Sequence, residues 1–193
     1  MEKQTMTNTS DRAASALEPA VAVEQLGPED TQRIFEHFMA LSSDDRTRRF
    51  SYHHANSEWT MRYARQIDFA RQSLLALTTS SSSIVALLQI CRFRNDGDPR
   101  AELAFSVRPD RRGRGLAHHL TNVAVTYART CGLRVLTACV EPDNHAMRAV
   151  LSAAGMRFAR SGDDLTGVIE ITPPLHRSPH RWRPTNPKAS GLH

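Results

Sequence analysis

Arg112-Gly113-Arg114-Gly115-Leu116 stand between a strand-like stretch, AELAFSV (101–107), and a helix-like one with Leu116, Leu120, Val123, Ala124 and Tyr127 on a single face. A helix starting at about Gly113–Leu116 leaves its first amide hydrogens without intrahelical acceptors, and they carry the positive end of the helix dipole. Glycine at 113 and 115 keeps side chains off the backbone, while Arg112 and Arg114 add charge. The combination is an anion seat suited to a pyrophosphate; its bland alternative is a glycine-softened loop with solvated arginines. Two other phosphate loops do not fit. G-K-[S/T] is absent, and G-x-G-x-x-G fails because residue 118 is His. Just ahead of the seat, Glu102 is an acid inside an otherwise apolar strand. Alternation sets it on one face with Ala104 and Ser106, opposite Leu103, Phe105 and Val107.

The flanking elements must position this junction. AVAVEQL (20–26) alternates as a strand, and GPED opens a helix with Pro28 in its first turn. Ile34, Phe35, Phe38 and Met39 share a face of that helix. LSSDDRTRRFSYHHAN (41–56) reads as a polar connection. A second helix follows from Ser57 as N-cap, with Trp59, Tyr63 and Ile67 four residues apart. SLLALTT and IVALLQICRF are strands joined by four serines, and RNDGDPR is a turn into the strand holding Glu102. Cys131-Gly132 stops the next helix. RVLTACV is a strand ended by Pro142. Asn144 caps a helix with Met147, Val150, Leu151 and Ala154 on its apolar face, and MRFARSGDDLTGVIEI closes the domain as a hairpin. The order β-α-α-β-β-β-α-β-α-β-β predicts an α/β (α+β) fold with a mixed, mostly antiparallel twisted sheet and helices on both faces.

The 193 residues carry a formal charge of +5. The last 19 hold four bases and no acid, so the rest has 21 bases against 20 acids. The excess lies on a Pro-bearing tail rather than a folded face, which speaks against a nucleic-acid partner. No run of 18 apolar residues exists for a membrane span, and the first residues lack an apolar signal core. The expectation is a cytoplasmic protein with Cys91, Cys131 and Cys139 as buried free thiols. It has a disordered tail at 1–17, a folded domain at 18–174 and a disordered basic tail at 175–193. No zinc spacing or G-x-S-x-G occurs, so no metal is expected.

RGRGLA (112–117) resembles the [R/Q]-x-x-G-x-[G/A] motif of the GNAT acetyltransferase superfamily. NHAMRAVLSAAGM (144–156) is similar to the later family segment, with Asn144 and Gly155 in register. The resemblance covers roughly residues 20–172 and implies acetyl-CoA as co-substrate. By it, the backbone at Phe105, Ser106 and Val107 pairs with the pantetheine arm. Arg112 and the amides of Gly113, Arg114, Gly115, Leu116 and Ala117 hold the pyrophosphate. Asn144 contacts the CoA arm, and the two strands flanking the site splay apart. The acceptor is an amine, which arrives as ammonium and needs a base; a backbone N–H near Val107 meets the oxyanion. Glu102 is the first candidate base, and the AE-x-AF-x-V arrangement is similar to that of Pat-type protein lysine acetyltransferases. LSSDDRTRRF resembles a Pat-type segment too, which favours a protein lysine acceptor over a small amine.

Glu141, after the other flanking strand, is the second candidate base. His53 and His54 border the acceptor side and could titrate near neutrality, although loop histidines are usually solvated. One departure stands out. Many members of the family have a tyrosine seven residues after the motif asparagine to protonate the leaving sulfur, and here that residue is Leu151. A non-catalytic acyl-CoA sensor therefore stands as an alternative to the enzyme.

Overall fold

Two-residue alternation and glycine stops account for most of the architecture. The computed structural model describes residues 21–50 and 55–172. The chain opens with β1 (Ala22–Leu26), a 3-10 turn at Pro28–Asp30, and helices α1 (Thr31–Met39), α2 (Ser43–Phe50) and α3 (Ser57–Arg65). Strands β2 (Gln72–Thr78), β3 (Ile84–Asn95) and β4 (Asp98–Val107) follow, then a 3-10 turn at Pro109–Arg111 and helix α4 (Leu116–Cys131). β5 (Val135–Val140), α5 (His145–Ala153), β6 (Arg157–Ser161) and β7 (Asp164–Glu170) complete it. The seven strands form one sheet in the order β1-β2-β3-β4-β5-β7-β6. Only β4 and β5 run parallel, so the sheet is mixed and mostly antiparallel, as expected.

β2 and β3 read as near-continuous apolar runs because both faces of the sheet are covered. Leu74 and Ala76 meet Ile34 and Phe38 of α1 and Ala64 of α3 on one face. Leu75, Leu77, Leu88 and Leu103 meet Leu120, Ala124 and Tyr127 of α4 on the other. Asp96 and Gly97, at φ +50° and +85°, make the tight turn that joins β3 to β4.

Several boundaries differ from the expectations. The stretch 41–56 is not wholly a connection, because Ser43–Phe50 is a helix. Ser42 starts it, its hydroxyl accepting the Asp45 amide at 3.1 Å and donating to the Asp45 carboxylate at 2.6 Å. Asn56 rather than Ser57 caps α3, its side chain accepting from the Trp59 amide at 2.9 Å. Cys131 and Cys139 are exposed and Cys91 is half-buried, so the expectation of buried thiols fails. Cys131 ends a helix, and Cys139 sits where the sheet opens. His53, His54 and both tails lie outside the described residues.

The sheet opens between β4 and β5. They share three parallel pairs, Arg100 with Val135, Ala101 with Leu136 and Glu102 with Thr137. Beyond Glu102, among the described residues, β4 keeps only β3 as a strand neighbour and β5 only β7.

Candidate active site

A cleft of about 1070 Å³ fills the space between the parted strands. Leu103–Val107 line one side and Ala138–Glu141 the other, with α2, the glycine loop and the start of α5 at the rim. Backbone groups of a strand point alternately to its two edges. The Arg108 amide donates to the Val85 carbonyl on the β3 side, and the Thr137 hydroxyl donates to the Ala101 carbonyl on the β5 side. The odd-numbered residues therefore turn their N–H and C=O toward β5. At Leu103, Phe105 and Val107 that edge is open, leaving main-chain donors and acceptors for an extended ligand. Ser106 differs: it pairs with Leu87 of β3, and its side chain points to the α1 face.

At the far end of β4 the chain turns into the seat. Gly113 and Gly115 both have φ +73°, in the left-handed region that glycine adopts without strain. The first helical bond of α4 runs from the His119 amide to the Gly115 carbonyl at 2.9 Å, so the Leu116, Ala117 and His118 amides precede the ladder. A Cβ added at 113 or 115 would meet nothing within 4 Å, and both glycines line the cleft. Arg114 is exposed here. Arg112 reaches away. Its Nη2 lies 2.6 Å from Asp45 of α2, and its Nε donates to the Val107 carbonyl at 3.4 Å. Burial pushes the Asp45 carboxyl up, but the Ser42 hydroxyl and Arg112 outweigh it and hold the group below its usual range.

The two candidate bases are placed differently. Glu102 is the last β4 residue paired with β5, so its exposed side chain stands at the apex of the opening, on the α2 face. Among the described residues it makes no ion pair. Glu141 lies 2.6 Å from Arg48 of α2, which also holds Asp143 at 3.1 Å. Glu141 is taken up by that ion pair, whereas Glu102 stands at the apex of the opening, the better placed of the two for an entering amine. Cys139 lies nearby, its thiol donating to Asp164 at 3.5 Å. Burial pushes that thiol's pKa up and the Asp164 carboxylate adds to the effect, which favours the thiol over the thiolate.

The Asn144 side chain caps α5, accepting from the Met147 amide at 3.2 Å, and its NH₂ remains for the cleft it lines. Leu151 is fully buried in the α4-side core and also borders the cleft. No proton donor therefore stands at that position.

Two features went unread in the sequence. Helix α2 spans the cleft, joined to the glycine loop through Asp45 and to the β5–α5 loop through Arg48. The second is His37. This buried α1 residue places Nδ1 3.2 Å from the Ile84 carbonyl and Nε2 2.8 Å from the Ser106 hydroxyl. A carbonyl only accepts, so Nδ1 carries the proton, and the neutral Nε2 accepts from Ser106. Burial lowers the His37 pKa to about 4; the Ile84 carbonyl opposes the shift, and the Arg108 and Arg49 cations facing the ring add to it. Arg33 and Glu36 share the small cavity beside it.

A pH dependence of stability follows. An unfolded histidine protonates near 6.5, whereas folded His37 resists until about 4. Between these values the unfolded chain binds more protons, so stability falls as pH falls. The loss reaches roughly 3 kcal/mol at pH 4. Denaturant midpoints measured from pH 7 to 4.5 should show it, and His37→Gln should flatten the slope. An equal slope in the variant would assign the effect to another group.

Comparison with known proteins agrees with this geometry. The model of the acetyltransferase (GNAT) domain family matches residues 21–157. The acetyltransferase Pat of Mycolicibacterium smegmatis is 25% identical over 154 residues, covering 79% of this chain and 46% of that protein. The chain thus spans about half the length of the curated relative it matches. The GNAT domain of S. lividans PAT superposes with a TM-score of 0.66 at 25% identity, covering 78% of this chain and 90% of that one. A spermidine N-acetyltransferase from Vibrio cholerae, in complex with CoA and spermine, shares the fold with a TM-score of 0.64 at 15% identity, over 78% of this chain and 95% of that one. Among the described residues no helix is long and apolar enough to cross a membrane, and no cluster of three or more His, Cys, Asp or Glu could hold a metal ion. A glycine seat, a half-open β4 edge and a family match across most of the domain converge on one conclusion: the chain belongs to the GNAT acetyltransferase family.

Proposed function

We infer that the chain transfers an acetyl group from acetyl-CoA to an amine, with a protein lysine side chain as acceptor and Glu102 as general base. The observation that carries this reading is the continuous cleft from the glycine seat along the open edge of β4 to the Glu102 carboxylate. The seat amides bind the diphosphate, with the Arg112 backbone beside them, and the Phe105 and Val107 main chain pairs with the pantetheine arm. Asn144 contacts that arm from the other side. Bound acetyl-CoA supplies the activated acyl group; the protein positions it and removes a proton. An amine with a pKa near 10 enters as ammonium, and Glu102 takes its proton directly or through one water. The Val107 N–H points toward the developing negative oxygen. A thiol pKa of about 8–9 makes the thiolate a tolerable leaving group, so Leu151 does not stop the reaction. The likeness to Pat-type enzymes supports the lysine acceptor.

The buried Leu151 favours a second reading, an acyl-CoA sensor without turnover. A screen at fixed acetyl-CoA, with proteins and small amines side by side and CoA thiol as readout, separates them. Thiol release with a protein, and an acetylated lysine in it by mass spectrometry, is expected. Release with small amines alone moves the acceptor to that class. Tight acetyl-CoA binding with no product selects the sensor.

A further inference from the structure

We propose that His37 and Ser106 form a positioning pair for acyl transfer, holding the open edge of β4 so that the Phe105 and Val107 amides stand where the thioester needs them. The inference rests on the acetyl-transfer reading above. Beyond Glu102, among the described residues, β4 has a strand neighbour on one edge only. A strand held on one side must get its remaining rigidity from its faces. On the α1 face, Ser106 stands between Phe105 and Val107 and donates to His37 Nε2 at 2.8 Å. The histidine is fixed in turn, because its Nδ1–H donates to the Ile84 carbonyl of β3 at 3.2 Å. One imidazole thus ties α1, β3 and β4 together behind the reacting centre.

An aliphatic pair would fill the same space with no polar group to desolvate. What the hydrogen bond adds is a set distance between helix and strand. Both partners are buried, so water does not compete for it. A nucleophilic role for Ser106 is not indicated: its hydroxyl points to α1, and an imidazole whose basicity is lowered by burial is a weak base for it.

The test uses Ser106→Ala, Ser106→Thr and His37→Gln in the full chain. With acetyl-CoA and the acceptor from the screen, Ser106→Ala should lower kcat about tenfold, since small misplacements of reacting groups are costly. Its KM for acetyl-CoA and its CoA affinity by calorimetry should stay within about threefold of wild type, because the seat at 113–117 is untouched. Ser106→Thr keeps the hydroxyl and should recover most of the rate. Imidazole ¹⁵N spectra should show Nε2 of His37 losing its donor in Ser106→Ala, with Nδ1 still protonated. An unchanged kcat, a KM that rises in step with the loss, or no recovery in Ser106→Thr overturns the pair. Should wild type bind acetyl-CoA without turnover, the acetyl-transfer reading fails on its own. The amide shifts of Phe105 and Val107 on ligand binding then decide: smaller in Ser106→Ala and His37→Gln supports the pair, equal overturns it.

Discussion

Replacing Glu102 by Gln should lower kcat by about a hundredfold or more at pH 7.5, within the range ordinarily lost with a general base. The substitution keeps shape and size, so the three rungs at Arg100, Ala101 and Glu102 remain. It removes a cleft carboxylate at the apex that, among the described residues, makes no ion pair. Acetyl-CoA affinity should stay within about twofold, since the proposed diphosphate seat lies beyond the C-terminal end of β4 and Glu102 sits mid-strand. The pH profile identifies the cause. An acceptor amine loses its own proton as pH approaches about 10, so the deficit of Glu102→Gln should shrink as pH rises. A deficit constant with pH would mean the carboxylate orients the acceptor instead of deprotonating it. Turnover equal to wild type would remove Glu102 from the chemistry. Glu141 could take its place only by leaving its 2.6 Å pair with Arg48.

Gly115→Asp should weaken acetyl-CoA binding by about a hundredfold or more, the size expected for a like charge set against a diphosphate at a few ångströms. The chain itself tolerates the change. A Cβ at 115 meets nothing within 4 Å, and aspartate enters the left-handed region at modest cost. Folding stability should therefore move by only about 1 kcal/mol. Gly115→Asn carries the same shape without the charge and should lose much less affinity, so the pair separates electrostatics from bulk. Calorimetry with acetyl-CoA measures both. Affinity untouched by the aspartate would place the anion site elsewhere and remove the basis for the cofactor assignment.

The parts legible in the sequence are those set by neighbours along the chain. Two glycines at a strand-to-helix junction predict left-handed backbone and a helix start there, because φ and helix ends are local properties. The face of Glu102 follows from counting along one strand. The Asn144 cap is a three-residue pattern and was read correctly. Helix α2 shows the opposite case. SDDRTRRF has no apolar stripe, so periodicity gives no signal. The available cues were Ser42 three residues before Asp45, and acids leading the segment with arginines closing it. α2 is held by Arg46 donating to the Leu41 and Ala55 carbonyls, by Phe50 against Phe38 and Tyr63, and by pairs with Arg112, Glu141 and Asp143, residues far along the chain. The same helix engages the Arg112 guanidinium and the Glu141 carboxylate in ion pairs. His37 and Ser106 are 69 residues apart, and each alone reads as an ordinary helix or strand residue. The cysteines misled because residue type speaks for burial, whereas Cys139 faces the gap that only the three-dimensional sheet creates.

A sheet joined by three rungs at its middle has a seam. Its four leading strands and its three trailing ones make two plates, joined by those rungs and by helices packed across them. Along the seam, among the described residues, the β4 edge at Leu103 and Phe105 faces the cleft rather than another strand, as on an outer margin. Whatever lies down in that gap knits the plates together, so the domain's resistance to unfolding rises with the concentration of its occupant.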